Sequence, residues 1–207
     1  MASLNLFPTL LHATRPITRD AGRFHAALVR EARLFRKLDR EGVDWSKRNY
    51  LSGYTSYSSI TDLPFRSSNF GRLKTAIDRE VAKYARALEL DLGRGALEMT
   101  SCWVNIMGKG CTHAFHLHPL SVVSGTYFLQ VPKGAGALKF EDPRLAAFMA
   151  SPPRKSRAKP ANQRFFSLAP RAGDLILFES WLKHQVEPSR SAEERISVSF
   201  NYDWVSR

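Results

Sequence analysis

Cysteine is scarce in this chain, with Cys102 and Cys111 the two among 207 residues. Two cysteines exclude a disulfide framework, and a chain of this length buries enough apolar surface to do without one. If residues 102–106 form a strand and 107–112 a loop, the two thiols lie close together, but no bond between them is expected. Long apolar runs are missing too. No stretch approaches the roughly 18 residues that a membrane span needs. The opening, residues 1–16, is too short in its apolar part and is broken by Pro8, so it does not read as a secretory leader. The expected compartment is the cytoplasm. Acidic residues are the third shortage. Asp and Glu number 19 against 31 Lys and Arg, a net charge of +12. Such a balance raises the question of a nucleic acid or acidic partner. The cations are dispersed, however, and no nucleic-acid-binding motif accompanies them, so a solvated basic surface is the preferred reading.

What is present is ordinary for a globular protein. Hydrophobic content of 43% and charged content of 24% match a chain that builds one core. Residues 4–14 read as an extended opening that feeds Leu6 and Phe7 to that core. From about residue 18 to 40 the period changes. Phe24, Ala27, Leu28, Ala32, Phe35 and Leu38 recur at three- and four-residue steps between Arg, Glu and Lys, which predicts an amphipathic helix starting at Thr18 or Asp20. A second helix is predicted over about 70–90, with Leu73, Ile77, Val81 and Tyr84 in its stripe, Ser67 or Ser68 as its cap, and residues 91–95 as its stop. Between the two, residues 43–68 are rich in Ser, Thr, Tyr and Gly and read as irregular. Tyr50, Tyr54 and Tyr57 there either line a pocket mouth or pack across the edge of the core.

After Gly95 the pattern turns to short strands rich in Val, Ile, Phe and Tyr. They are predicted at 97–106, 114–118, 122–131, 136–140, 164–168, 174–178, 183–187 and 194–203, divided by turn signals such as Gly173-Asp174. Helices followed by eight short strands predict an α+β fold, a small antiparallel jelly-roll barrel buttressed by helices. The chain is read as one domain, residues 1–207, with a helical part to about 95 and the barrel from about 96. Residues 151–162, with three prolines and four basic residues, read as a basic surface loop.

The chemistry concentrates in His116-Leu117-His118-Pro119. Two histidines at i and i+2 in an extended segment share a face, so they can chelate a metal if a third ligand joins them. His184 is the candidate, since a jelly roll brings distant strands together. Three neutral imidazoles suit Fe(II), Zn(II), Cu(II) or Ni(II). His12, His25 and His113 lack such company and are left out. Eleven residues past His184, Arg195 heads a strand whose polar parity runs Arg195, Ser197, Ser199, Asn201 and Asp203. An arginine inside a barrel needs an anion, and its planar fork suits a carboxylate, to which Ser197 would also donate. The competing reading turns this parity outward, with Arg195 paired to Glu193 or Glu194.

These motifs carry a resemblance. Trp103-Val104-Asn105, His116-x-His118-Pro119, Ser124-Gly125-Thr126-Tyr127, Asp142-Pro143-Arg144, Gly173-Asp174 with Leu177-Phe178, Trp181-Leu182-x-His184-x-Val186 and Arg195-Ile196-Ser197 with Ser199-Phe200-Asn201 resemble the small bacterial and phage-type 2-oxoglutarate/Fe(II) oxygenases. Leu6-Phe7-Pro8-Thr9 and residues 52–57 fit as well. The resemblance implies a double-stranded β-helix with iron at one end. It implies His116, His118 and His184 as ligands, and 2-oxoglutarate gripped at its far carboxylate by Arg195, Ser197 and Tyr127, with Asn105 orienting the chelating end. The implied reaction converts 2-oxoglutarate to succinate and CO2 while oxidising a substrate C–H bond. The wider superfamily uses His-x-Asp or His-x-Glu with a distal His. His118 stands here in the carboxylate's place, leaving the metal site more positive by one charge. That departure keeps two alternatives open: a three-histidine cupin-type dioxygenase without 2-oxoglutarate, and a non-catalytic metal-containing binding module. The substrate, small or macromolecular, is not legible. The positive charge points weakly to an anionic one such as a nucleotide or nucleic acid, and a homodimer is the default assembly.

Overall fold

The computed structural model describes residues 6–206. Residues 4 and 5 of the predicted opening segment lie outside them. Strands β3 (Ala96–Met107), β4 (His113–His116), β5 (Val123–Gln130), β6 (Leu138–Glu141), β7 (Phe165–Leu168), β8 (Leu175–Glu179), β9 (His184–Val186) and β10 (Arg195–Val205) occupy the eight predicted positions. Two short strands were not anticipated, β1 (His12–Thr14) and β2 (Gly53–Thr55). They edge a six-stranded sheet in the order β1-β8-β5-β10-β3-β2, which faces a four-stranded sheet ordered β4-β9-β6-β7. All the strand pairs are antiparallel. Neighbours distant in sequence in both sheets make this the expected double-stranded β-helix.

The helices cover the outer face of the larger sheet. In α1 (Ala21–Leu38), Phe24, Leu28 and Ala32 are buried, and in α4 (Ser68–Ala87), Leu73, Ile77, Val81 and Tyr84. They share one cluster with Val104, Tyr127, Leu177, Val198 and Phe200 of the sheet. Burial of each such large side chain contributes on the order of 1.5–3 kcal/mol. Ser67 caps α4 by accepting from Asn69 and Phe70 backbone N–H groups. Asp20 sits at the start of α1 but makes no side-chain cap. The smaller sheet and the inner face of the larger one enclose a second cluster built from Met107, Phe128, Phe140, Ile176, Phe178 and Leu182.

The segment 43–68 is not irregular. It contains the end of α2 (Arg40–Asn49), then β2, then the single turn α3 (Leu63–Arg66). The α2 helix escaped detection because its packed face is made of Gly42 and Ser46 rather than large apolar residues. Asp39 caps it through Gly42 N–H, and the same carboxylate receives the Tyr54 and Ser59 hydroxyls at 2.8 and 2.6 Å. A Cβ on Gly42 would lie 2.0 Å from Asp39 Oδ2, so this crowding demands glycine. Loop 151–162 is mostly exposed, as expected. Cys102 and Cys111 are both free, and they lie in different clusters.

Candidate metal centre and anion recess

His116 and His184 are direct partners across the β4–β9 ladder. His118 lies two residues beyond the end of β4, so the simple same-strand argument does not place it. Its backbone N–H instead donates to Ser180 O at 3.0 Å, tying the segment after β4 to the segment before β9. The result is convergence. One ring nitrogen of each of His116, His118 and His184 lies within 4.8 Å of the others. The backbone fixes which nitrogen is free. Nδ1 of His116 donates to Ala114 O at 2.8 Å, and Nδ1 of His184 to Leu182 O at 2.9 Å, which leaves each Nε2 with its lone pair. Asn201 is a side-chain hydrogen-bond partner of His118. Burial among like rings keeps all three neutral. It pushes His184 down to about 3 and His118 to about 4, and it lowers His116. Neutral imidazole is the form that binds metal, so the donor set fits Fe(II), Ni(II) or Zn(II).

A cavity of about 430 Å³ opens from these rings into the barrel. Arg195 closes its far end. It is 2% exposed, and no carboxylate among the described residues pairs with it; Glu194 pairs instead with Arg33 and Arg36. The surface-pair reading of Arg195 is therefore excluded. Its Nη1 donates to Met107 Sδ at 2.9 Å, its guanidinium carbon lies 4.9 Å from the centre of the Phe128 ring, and its Nε has no partner. Burial lowers Arg195 to about 10, which still leaves it charged at neutral pH. A buried, charged and half-satisfied guanidinium is costly unless an anion joins it.

The polar parity of β10 does face inward. Ser197, Ser199 and Asn105 line the cavity beside Arg195. Asn105 donates to Ser199 Oγ at 3.0 Å, and Ser199 Oγ lies 3.2 Å from Thr126 Oγ1. Tyr127 does not belong to the cavity, and the expectation for it is corrected. Alternation along β5 turns Thr126 and Phe128 inward and sends Tyr127 to the helix side, where its hydroxyl meets His25 Nε2 at 2.5 Å.

Two cavity residues were missed. His113, set aside for lack of company, stacks on His116 with ring centroids 4.0 Å apart. Three residues apart on a regular strand, the two would face opposite ways. The register shift between them in β4 turns both inward, and no local sequence signal marks it. Tyr50, from the end of α2, packs edge-on to His113 at 5.6 Å. His12 lies away from the site, paired to Glu80 at 3.0 Å.

Comparison with known proteins follows the same lines. Residues 101–201 match the family described as "Putative 2OG-Fe(II) oxygenase". No curated protein sequence matches the chain. Among solved structures, a Pseudomonas putida prolyl-4-hydroxylase has the same fold, with a TM-score of 0.64 at 18% identity over 96% of this chain and 94% of that one. The epimerase SnoN from nogalamycin biosynthesis, solved with Fe3+, alpha ketoglutarate and nogalamycin RO, gives 0.62 at 17% identity over 94% and 79%. HygX from Streptomyces hygroscopicus, solved with nickel, 2-oxoglutarate and hygromycin B, gives 0.59 at 16% identity over 94% and 83%. With a matching family model over residues 101–201 and the expected fold around a three-histidine cluster, the barrel of this chain is a member of the 2OG-Fe(II) oxygenase family.

Proposed function

We propose that the chain is an Fe(II)- and 2-oxoglutarate-dependent oxygenase whose metal is held by His116, His118 and His184. The observation that carries this reading is Arg195, a buried guanidinium with no acidic partner among the described residues, at the opposite end of one cavity from the three imidazoles. A small dicarboxylic 2-oxo acid bridges the two ends chemically. Arg195 and Ser197 hold its far carboxylate, and Asn105 orients its chelating end. When bound, Fe(II) and 2-oxoglutarate supply oxidation of a substrate C–H bond by O2, with release of succinate and CO2. The protein's own work is placement. Ala114 and Leu182 carbonyls fix the ligand tautomers, and Phe178, 4.5 Å from the His184 ring, and Phe140 keep water from the inner wall. The extra positive charge left by His118 is offset by the dianion.

The helical part and the barrel work as one domain, which the shared core under α1 and α4 supports. No helix among the described residues is long and apolar enough to cross a membrane. The two free cysteines accord with a reducing compartment such as the cytoplasm. Turnover tests the reading: with Fe(II), 2-oxoglutarate and O2, the protein forms succinate, and His184→Ala does not. Oxygen uptake without succinate would instead point to a three-histidine dioxygenase. Metal binding without either would point to a binding module.

A further inference from the structure

The correction at Tyr127 leaves the anion recess one donor short. Arg195 and Ser197 line it, but the β5 residue facing Arg195 is Phe128, which offers a ring face and no hydrogen bond. Tyr50 stands where the missing donor is needed. It closes α2 as its C-cap residue, is 6% exposed, and lines the same cavity as Arg195. The placement is built. Gly53 N–H donates to Tyr50 O at 3.0 Å. Gly53 is also paired to Met107 in the β2–β3 ladder, and Met107 is the register partner of Arg195. A Cβ on Gly53 would lie 2.7 Å from both Cys111 Sγ and the Tyr50 ring, so glycine is required for that ring to lie where it does.

The hydroxyl itself is under-used. Its one hydrogen-bond partner among the described residues is the Cys111 thiol, a weak acceptor. Burial and the thiol hold the phenol protonated above its ordinary range, while Arg195 pulls the other way, which places the hydroxyl within the field of the guanidinium. His113 packs on the other side of the ring and fixes it from the metal side.

We propose that Tyr50 is a binding residue for the far carboxylate of the 2-oxo acid, its hydroxyl completing with Arg195 and Ser197 a three-donor recess that selects a dicarboxylic over a monocarboxylic cosubstrate. The proposal rests on the oxygenase reading and adds to it a residue from the helical part of the chain. The hydroxyl turns from the thiol to the carboxylate, exchanging a weak acceptor for a charged one.

The test is cosubstrate binding, not turnover. Fe(II)-loaded protein is titrated without oxygen, once with 2-oxoglutarate and once with 2-oxobutyrate, which lacks the far carboxylate. Tyr50→Phe keeps the ring and its packing. It is expected to weaken 2-oxoglutarate about tenfold or more, while Fe(II) and 2-oxobutyrate affinities stay within about twofold. Cys111→Ala, which removes the present partner, is expected to leave 2-oxoglutarate affinity within about twofold. The proposal is overturned if Tyr50→Phe binds 2-oxoglutarate like wild type, if it loses both acids equally, or if Cys111→Ala weakens 2-oxoglutarate as much as Tyr50→Phe. Arg195→Leu separates the layers. If it weakens 2-oxoglutarate and Tyr50→Phe does not, the Tyr50 role alone falls. If neither does, the cosubstrate site falls with it.

Discussion

Replacing Arg195 by Leu has opposite expected effects on binding and on stability, which makes it informative. In the ligand-free protein the guanidinium is 2% exposed, carries an unpartnered Nε and leans on a thioether and a phenyl ring. Removing such a charge in favour of an apolar side chain relieves a desolvation cost, so the variant should melt no lower than wild type and is expected to gain about 1 kcal/mol without ligand. With 2-oxoglutarate the order inverts. Losing a charge-assisted pair from a buried site costs about 2–4 kcal/mol, roughly 30- to 900-fold in Kd. Calorimetry for binding and thermal melts with and without the 2-oxo acid read both effects on one preparation. A variant that melts several degrees lower while binding 2-oxoglutarate normally would refute the reasoning, because Arg195 would then be a structural residue.

Further outcomes are expected elsewhere. Asn201→Ala removes the side-chain partner of His118 and should lower metal affinity about tenfold by metal titration, with the fold intact; unchanged affinity would mean His118 is not a ligand oriented this way. In the metal-free protein His113 and His184 are held neutral down to about 3 and His118 to about 4, from an ordinary 6.5. The unfolded chain therefore takes up protons that the folded chain refuses, and stability present above pH 6.5 is lost as the pH falls toward 4, by about 2 kcal/mol per histidine at pH 5. Urea midpoints at the two pH values check this, and equal midpoints would contradict it. Burial pushes the Cys111 thiol up to about 11 and raises Cys102 as well, so native protein at pH 8 should resist alkylation that the unfolded chain undergoes at once. Gly42→Ala would set a Cβ 2.0 Å from Asp39 Oδ2 and is expected to cost about 2 kcal/mol or more by denaturant melts, since the crowded cap cannot give; a neutral result would mean Asp39 moves freely.

Much of the barrel was legible because its strands alternate plainly. In β10, Ile196, Val198 and Phe200 face the helices while Arg195, Ser197 and Ser199 face the cavity, as the parity of the letters implies. The distal pairing of His116 with His184 was legible through spacing and motif together. What failed had local causes. Tyr127 was assigned to the recess by resemblance although its parity on β5 opposes Thr126 and Phe128. His113 enters the cavity through an irregularity in β4 that leaves no trace in composition. The α2 helix packs through Gly42 and Ser46, and no apolar period announces a helix that buries small residues. Tyr50 was visible as an aromatic in a suggestive segment, but its function depends on a long-range pairing, β2 on β3, that no short window encodes.

The most direct test of the account is anaerobic titration of the Fe(II)-loaded protein with 2-oxoglutarate, watching the visible region for a metal-to-ligand charge-transfer band. The account predicts that the band appears, saturates, and is lost at the same concentrations in Arg195→Leu. Iron binding by His116, His118 and His184 with no band at saturating 2-oxoglutarate would contradict it.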